Sequence, residues 1–335
     1  MTLRLRKVRI DTMDERRVVI TGATFPSDVV ARLTKNGLSI ITIPGDLGAD
    51  RVRAALAGAW GYVLGGSERV PKQLWSTLPD LRVACFLGTG YHAFMPPADE
   101  PTAIEFTYTP YANASAVAEF TIALMLDLTR QVTARANDTV AGRWHEDATS
   151  SLVNGRLGIA GMGNVGRTVA RMASAAFGTE IWYWNRSARP ELDALGYRRA
   201  DSILQLCSEV EMLTLNLNFE PGHNGGTIGA TELKALGSAG ILVNTARAEL
   251  VDPAALREAL LQDCIAAAAF DVYYQEPTPT PADDPFGLLA LTPRMLVTPH
   301  CAYLTHEAAH RMAEMAADNL LAVAAGVPAP YRVVR

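Results

Sequence analysis

The stretch LGIAGMGNVGRTVARMASAAFG, residues 157 to 178, decides the fold class of this 335-residue chain. It begins with apolar residues typical of a strand, continues with glycines at 161, 163 and 166, and ends with a helical pattern that stops at Gly178. The order of strand, glycine turn and helix is typical of the phosphate-binding turn of a dinucleotide fold. The alternative is a glycine-rich turn that holds no ligand.

Each glycine of this turn has its own predicted task. Gly161 permits the sharp turn, Gly163 lets a pyrophosphate approach the backbone, and Gly166 lets the helix pack close to the strand. The N-terminus of the helix then faces the phosphates, whose negative charge it attracts. We predict that five residues of the turn bind the cofactor: Gly161, Gly163, Asn164, Val165 and Gly166.

Strands alternate with helices on both sides of the glycine turn. Because this rhythm is typical of βαβ units, it predicts an α/β fold with parallel sheets, and the alternation after residue 157 is long enough for a complete doubly wound Rossmann unit. We predict long helices over residues 115 to 141 and 305 to 323. The apolar runs are RVVIT, LSIITI, WGYVLG and LRVACF before the turn, and IWYWN, VEMLTLNL, GILVNTA, AAAAFDVY and RMLVTP after it.

Composition limits the classes of function. The length predicts two domains, and 49% hydrophobic residues suffice for two cores. A net charge of −5 provides no basic face for a nucleic-acid backbone, so we expect no nucleic-acid partner. No apolar run approaches the roughly 18 residues of a membrane span, and the basic N-terminal leader lacks an apolar segment of signal-peptide length. We therefore expect no membrane partner.

Cysteine and histidine spacing argues against disulfides and metals. The four cysteines are far apart and form no CxxC pair, which favours a reducing, cytoplasmic location. His306 and His310 have the i,i+4 spacing of zinc ligands, but the sequence offers neither a third ligand nor an HExxH motif. We predict that the protein has no metal site.

Further motifs resemble one enzyme family. NTARAELVD (244 to 252), FDVYYQEP (270 to 277) and VTPHCAYLTHEA (297 to 308) follow LGTGY (87 to 91) in the order found in the D-isomer specific 2-hydroxyacid dehydrogenases. Within this family the chain resembles the glyoxylate/hydroxypyruvate reductases, and it has some features of the D-lactate dehydrogenases. The resemblance extends from Arg17 to about residue 325.

The resemblance implies an architecture. A substrate domain with a flavodoxin-like α/β fold would comprise residues 1 to 112 and 300 to 335, and a Rossmann domain would comprise residues 113 to 299. Two long helices would join the domains, and the family leads us to expect a homodimer.

The resemblance also implies the roles of individual residues. Arg247 would grip the carboxylate and carbonyl of the substrate, and His300 would be the catalytic histidine with Glu276 as its acidic partner. The remaining expected contacts are Thr89, Gly90 and Tyr303 with the substrate, and Asn218, Thr245, Ala246 and Asp271 with the cofactor.

The chemistry of keto-acid reduction supports these roles independently. A hydride moves to the carbonyl carbon while the oxygen gains a proton, so the site needs an acid that titrates near neutrality, as histidine does. A neighbouring carboxylate favours the imidazolium, and a guanidinium forms two parallel hydrogen bonds with a carboxylate. The structural alternatives are a surface role for Arg247, an ordinary loop acid at Glu276 and a packing histidine at His300.

The strand after the glycine helix bears on the choice of cofactor. NAD-dependent enzymes of this architecture have an acid about 20 positions beyond the glycines, where it binds the ribose 2′-OH. Here that place holds Asn185, followed by Arg186 and Ser187. Because arginine matches a phosphate and no acid repels one, we expect NADP to be preferred over NAD. The alternative is that Arg186 points into solvent and Asn185 serves either ribose.

Several positions depart from the family pattern and leave the substrate open. Ala248, followed by Glu249, stands where the family usually has a glycine after the Ala-Arg pair. Tyr111 replaces a glycine, Asn218 replaces a proline, and Ala302-Tyr303 replaces a glycine-serine pair. Our leading interpretation is an NAD(P)-dependent reductase that converts a small 2-keto acid into a D-2-hydroxy acid. The alternatives are a dinucleotide-sensing, corepressor-like binding protein and a phosphite or formate dehydrogenase of the same superfamily, although the formate branch carries glutamine at the place of Glu276.

Overall fold

The computed structural model describes residues 16 to 43, 47 to 66, 70 to 97 and 102 to 334. The chain divides into two compact units: unit 1 comprises Met1–Ala112 and His306–Arg335, and unit 2 comprises Asn113–Thr305. The second boundary therefore lies after Thr305, whereas the sequence analysis put it before residue 300. The N-terminal leader lies outside the described residues.

Both units alternate strands with helices. The strands, in chain order, are β1 (Arg16–Thr21), β2 (Leu38–Ile43), β3 (Gly61–Leu64), β4 (Val83–Phe86), β5 (Glu105–Tyr108), β6 (Arg156–Ala160), β7 (Glu180–Trp184), β8 (Arg198–Arg199), β9 (Met212–Leu215), β10 (Ile241–Asn244), β11 (Ala267–Phe270) and β12 (Met295–Val297). The helices, in chain order, are α1 (Ser27–Lys35), α2 (Ala49–Leu56), α3 (Ala114–Arg130), α4 (Val132–Val140), α5 (Asn164–Phe177), α6 (Pro190–Asp193), α7 (Ile203–Glu209), α8 (Ala230–Leu236), α9 (Pro253–Leu261) and α10 (His306–Ala324).

Unit 1 is built on a parallel sheet with strand order β2-β1-β3-β4-β5, the flavodoxin-like arrangement. One face of the sheet packs against α1 and α10, where Ala317 and Leu320 meet Val18 and Ile20 of β1. A Cβ at Gly61 of β3 would lie 3.3 Å from the side chain of Leu320, so the absence of a side chain there lets α10 sit close to the sheet. The last long helix is thus part of the core of the first unit.

Unit 2 is built on a seven-stranded parallel sheet with order β12-β11-β10-β9-β6-β7-β8. Read from β6, this is the Rossmann order extended by one strand. Strands β9 and β10 are buried along their whole length, as expected for central parallel strands covered on both faces. The strand order reverses between β6 and β9, and ligands of doubly wound sheets bind at the carboxyl ends of the strands at this point.

The predicted fold class, an α/β protein with a Rossmann unit and a flavodoxin-like unit, is confirmed. The prediction of one helix over residues 115 to 141 is wrong, because α3 ends at Arg130 and α4 begins at Val132. Gln131 between them has a positive φ of 54°. The Asp127 carboxylate accepts a hydrogen bond from the N–H of Thr133 at 2.7 Å, which stabilises the start of the second helix.

Within the described ranges, no helix has both the length and the apolar character that a membrane span requires.

His310 of α10 forms an ion pair with Asp28 of α1, inside unit 1. The distance between Nε2 and the carboxylate is 2.9 Å, and Glu314 lies 3.6 Å from the Nδ1 atom. The hydrogen bond to Asp28 raises the pKa of His310 above its ordinary value of 6.5, and the same bond lowers the pKa of Asp28 below 3.8.

This ion pair predicts a pH dependence of stability. The histidine contribution is complete below pH 6.5 and is lost as the pH rises through the raised pKa, whereas the aspartate contribution is lost as the pH falls below 3.8. We expect His310→Asn to lower Tm most between these two values, and to lower it progressively less as the pH rises through the raised pKa of the histidine. Thermal unfolding across this pH range checks the prediction, with the exposed His306→Asn as the control. A Tm difference that does not vary with pH would contradict it.

Candidate active site

Two of the three predicted glycines are required by close contacts, and the third borders open space. Gly161 has a φ of 99°, and a Cβ there would lie 2.6 Å from the carbonyl oxygen of Asn216. A Cβ at Gly166 would collide with the carbonyl oxygen of Gly161, so this glycine permits the close packing of α5 on β6. Gly163 precedes the first residue of α5, and a Cβ there would have no neighbour within 4 Å.

These residues fit the pyrophosphate of a dinucleotide. Gly163 and Asn164 are exposed at the start of a 14-residue helix, whose first N–H groups lack partners within the helix. Asn216, directly after β9, has a buried side-chain oxygen without a hydrogen-bond partner among the described residues. Sequence reasoning missed Asn216, although its place at the end of β9, where the strand order reverses, indicates it.

The predicted 2′-phosphate residues lie at the end of β7. Asn185 accepts a hydrogen bond from the N–H of Met162 in the glycine turn at 3.2 Å and donates one to the carbonyl of Ser187 at 2.9 Å. The side chain of Arg186 is 81% exposed and lies 3.2 Å from Glu220. Such an exposed ion pair contributes only about 0 to 1 kcal/mol, so it holds Arg186 weakly.

Asn244, the last residue of β10, shapes the loop that carries Arg247. Its buried side chain accepts the N–H of Ala246 at 3.0 Å and donates to the carbonyl of Arg247 at 2.8 Å. The guanidinium of Arg247 donates to the carbonyl of Ala246 at 2.7 Å. The hydroxyl of Thr245 pairs with that of Thr121 on α3 at 2.9 Å. Asn244 was not singled out from the sequence, although an amide at the end of a buried strand is a recognisable feature.

His300 and Glu276 form a hydrogen-bonded pair. The distance from His300 Nδ1 to the Glu276 carboxylate is 2.8 Å, and the two side chains are 38% and 35% exposed. Burial alone would raise the pKa of Glu276, but the hydrogen bonds from His300 and from the N–H of Tyr273, with the positive charges of His300 and Arg247, lower it below 4.5. Glu276 is therefore a carboxylate at neutral pH, and Arg247 is near enough to act on it.

Asp271 holds the backbone on both sides of His300. This buried carboxylate accepts hydrogen bonds from the hydroxyl of Thr298 at 2.6 Å and from the N–H groups of Cys301 at 3.0 Å and Ala302 at 2.8 Å. His300 between them has a positive φ of 54°, a conformation that few residues other than glycine adopt. These bonds tie the segment after β12 to the end of β11, which explains why the boundary between units lies after Thr305.

The structure thus brings Arg247, Asp271, Glu276 and His300 together in unit 2. Tyr303 also lies near the histidine, with its ring edge-on to the imidazole at 6.1 Å. Both oxygens of Asp271 already accept hydrogen bonds from the protein, so its predicted contact with the nicotinamide stays a prediction.

Three other predicted site residues lie on exposed parts of the two units. Thr89 and Gly90 belong to unit 1, where they are exposed after β4. Asn218 is exposed, and its carbonyl accepts a hydrogen bond from the Asn224 amide at 2.7 Å. In the described part of the chain, no three His, Cys, Asp or Glu side chains are grouped so that they could hold a metal ion.

Known proteins resemble this chain over most of its length. Residues 122–302, more than half of the chain, match the model of the D-isomer specific 2-hydroxyacid dehydrogenase NAD binding domain. The chain is 35% identical over 281 residues to a glyoxylate reductase of Aeropyrum pernix, a match that covers 80% of this chain and 81% of that one. It is 34% identical over 313 residues to glyoxylate/hydroxypyruvate reductase B of an Enterobacter species, covering 90% of this chain and 93% of the relative.

A solved structure extends the likeness to both units. The NADPH-dependent glyoxylate/hydroxypyruvate reductase of Sinorhizobium meliloti, in complex with NADP and malonate, superposes with a TM-score of 0.79 at 26% identity, over 95% of this chain and 97% of that one. The sequence of this chain therefore matches one family over most of its length. The chain belongs to the D-isomer specific 2-hydroxyacid dehydrogenase family and is an NAD(P)-dependent oxidoreductase.

Proposed function

We propose that this protein reduces a small 2-keto acid of the glyoxylate and hydroxypyruvate class to the D-2-hydroxy acid. The observation that carries the proposal is the contact of His300 with Glu276 at 2.8 Å, in the presence of the positive charge of Arg247. The names of the relatives from Aeropyrum pernix and the Enterobacter species support the substrate class.

Three residues of unit 2, His300, Glu276 and Arg247, would act on the substrate in different ways. Reduced nicotinamide, when bound, supplies the hydride that the carbonyl carbon accepts. His300 donates a proton to the carbonyl oxygen through Nε2, since Nδ1 is engaged with Glu276. Glu276 stabilises the protonated ring, and Arg247 binds the substrate carboxylate and the oxygen on which negative charge develops. A role of Thr89 and Gly90 in receiving the carboxylate rests on the family resemblance alone.

A substrate survey tests the proposal. We expect oxidation of NADPH with glyoxylate or hydroxypyruvate at a higher kcat/KM than with pyruvate or phenylpyruvate, and chiral chromatography of the hydroxypyruvate product should return the D-isomer. Turnover of formate or phosphite with the oxidised cofactor would instead favour the other dehydrogenase branches. Dinucleotide binding without turnover of any acid would favour a corepressor-like sensor.

Glu276→Gln should shift the pH profile of reduction. Because the imidazolium would lose the negative charge 2.8 Å away, we expect the rate of reduction to decline at a lower pH in the variant than in the wild type. The profile of kcat against pH with saturating glyoxylate measures this shift. Glu258→Gln on the exposed face of α9 is the control, and superimposable profiles for Glu276→Gln and the wild type would remove Glu276 from its role.

We propose that NADPH is preferred over NADH. The three residues that follow β7, Asn185, Arg186 and Ser187, include no acid that would repel a 2′-phosphate. Asn185 is held against the glycine turn, and Arg186 pairs with the nearby carboxylate of Glu220 in a weak surface ion pair that a phosphate can replace. A charge-assisted hydrogen bond is worth about 1.5 to 3 kcal/mol. We therefore expect Arg186→Ala to weaken NADPH binding by roughly ten- to a hundredfold and to change NADH binding little.

Fluorescence titration with each cofactor measures these affinities directly, without turnover. Asn185→Asp should move the preference toward NADH, because a carboxylate accepts the ribose hydroxyl and repels a phosphate. Arg198→Ala is the matched control, since Arg198 pairs with Glu180 and stacks on Trp182 on the neighbouring strand. Equal weakening of both cofactors by Arg186→Ala, or tighter binding of NADH than of NADPH by the wild type, would count against this assignment.

A homodimer and a cytoplasmic location are also proposed. In unit 2, α4 buries no residue, the following Trp144 is 76% exposed, and an apolar groove of about 500 Å³ is lined by Leu124, Leu126 and Leu296. Exposed apolar surface of this kind favours association, and a second copy would offer the same surface in return. Sedimentation velocity tests this, with a shift toward monomer expected for Trp144→Glu.

The four cysteines are free thiols, which agrees with a reducing compartment.

A further inference from the structure

Two hydrogen bonds hold the Glu276 carboxylate, and only one of them goes to the histidine. One oxygen contacts His300 Nδ1 at 2.8 Å, and the other accepts the main-chain N–H of Tyr273 at 2.9 Å. Because a carboxylate that is about one third exposed has freedom to turn toward water, the N–H of Tyr273 limits its orientation. The position of the Tyr273 backbone therefore affects how well Glu276 faces His300.

The side chain of Tyr273 is anchored at its far end. It is buried, and its hydroxyl donates to the Asp284 carboxylate at 2.6 Å. Asp284 is itself fixed, because it also accepts the N–H groups of Phe286 at 3.2 Å, Leu288 at 2.7 Å and Leu289 at 3.0 Å. Burial, together with the hydrogen bond and charge of Asp284, raises the pKa of Tyr273, so the hydroxyl remains a donor over the whole working pH range.

The next residue, Tyr274, has a different anchor. Its hydroxyl donates to the carbonyl of Val251 at 2.9 Å, in the segment that follows Arg247. The two rings pack edge to face at 5.6 Å, so they share one apolar environment. The two adjacent tyrosines therefore form hydrogen bonds with different loops: Tyr273 with the loop that follows Glu276, and Tyr274 with the loop that carries Arg247.

We propose that the hydrogen bond from Tyr273 to Asp284 is a positioning device that keeps the Glu276 carboxylate on His300 and thereby extends keto-acid reduction to higher pH. The inference rests on the proposed function, in which His300 is the proton donor. Tyr273 and Asp284 act through Glu276 and need not touch substrate. A phenylalanine would fill the same space at position 273, so the hydroxyl is the part of the side chain that performs this task.

The two tyrosines provide a matched pair of variants, each of which loses one hydroxyl that donates a hydrogen bond. We expect Tyr273→Phe to lower the pH at which kcat declines, in the same direction as Glu276→Gln but by a smaller amount, with little change in the KM of the keto acid. Tyr274→Phe should raise that KM about threefold, because it loosens the Arg247 loop, and leave the pH profile in place. If the two hydroxyls only stabilise the fold, both variants should lower Tm by the same amount and neither should shift the pH profile of kcat.

Several charged groups lie near Glu276 and the two tyrosines. Glu276 faces His300 and Arg247, Tyr273 faces Asp284, and Tyr274 lies near Asp252 and Glu249. Asp284→Asn is therefore the second variant, because it removes the charged acceptor and keeps both tyrosines. It should shift the profile in the same direction as Tyr273→Phe, and it tests the anchor if the phenylalanine variant does not fold.

A double variant separates this inference from the proposed function. In the Glu276→Gln background, Tyr273→Phe should cause no further shift, since the charge that it positions is gone. A wild-type profile for Tyr273→Phe and Asp284→Asn, or a shift that persists without Glu276, would overturn the positioning role and leave the histidine–glutamate pair intact. If Glu276→Gln alone leaves the profile unchanged, both the pair and the inference are overturned.

Discussion

Replacement of His300 by alanine should lower the kcat of keto-acid reduction by about a hundredfold or more, the usual loss when a general acid is removed. The substrate oxygen then takes its proton from water, and the charge that Glu276 stabilises is absent. Cofactor affinity should stay close to the wild-type value, because the glycine turn and the end of β7 are untouched. Steady-state kinetics with glyoxylate and fluorescence titration of NADPH measure the two quantities separately.

His300→Asn is the stricter version of this experiment. Asparagine tolerates the positive φ of 54° at this position better than most residues, and its amide does not act as an acid at neutral pH. The asparagine variant should fold normally and still lose about as much activity as the alanine variant. His306→Ala, at the exposed start of α10, is the matched control. Turnover near the wild-type level in either variant at position 300 would exclude His300 as the proton donor.

The second large effect is expected for Arg247→Ala, which should lower kcat/KM for the keto acid by about a hundredfold to a thousandfold. In the proposed mechanism the guanidinium binds the substrate carboxylate in the ground state and the developing oxyanion in the transition state, so KM should rise and kcat should fall together. Initial rates over a wide range of glyoxylate concentrations resolve the two parameters.

Arg247→Lys separates charge from geometry. Lysine keeps the positive charge but lacks the planar fork of donors, so we expect it to recover only a small part of the lost kcat/KM. Arg257→Ala, an exposed arginine on α9, is the control for the loss of a surface cation. An Arg247→Ala variant with both parameters unchanged would place this arginine outside the site.

The glycine turn illustrates how far local sequence determines this fold. A side chain at position 161 would collide with the backbone of Asn216, and a side chain at position 166 would collide with the backbone of Gly161. Only glycine meets these steric requirements, so the spacing of the glycines can be recognised in the sequence. The buried strands that follow are short apolar runs, so their number and parallel order were predictable as well. The short strands β5 and β8 were not predicted, because they lie at sheet edges and lack a continuous apolar run.

Side-chain contacts between distant residues were harder to predict. The break between α3 and α4 occurs at a glutamine, without glycine or proline, and depends on the Asp127 side chain that caps Thr133. The segment after His300 stays with unit 2 because Asp271, about thirty positions earlier, binds its N–H groups. The pair of His300 and Glu276 was assigned through the family resemblance, since an acid in a proline-rich loop is common for other reasons.

The place of α10 in the core of unit 1 also bears on the order of folding during synthesis. The first five strands leave the ribosome early, but the helix that packs against Val18 and Ile20 is encoded almost 300 residues later, at His306–Ala324. Unit 2 is continuous in sequence, so it has all its strands before α10 emerges. We expect the nascent N-terminal sheet to expose part of its apolar face until then, which makes it the segment of this protein with the greatest need of a chaperone.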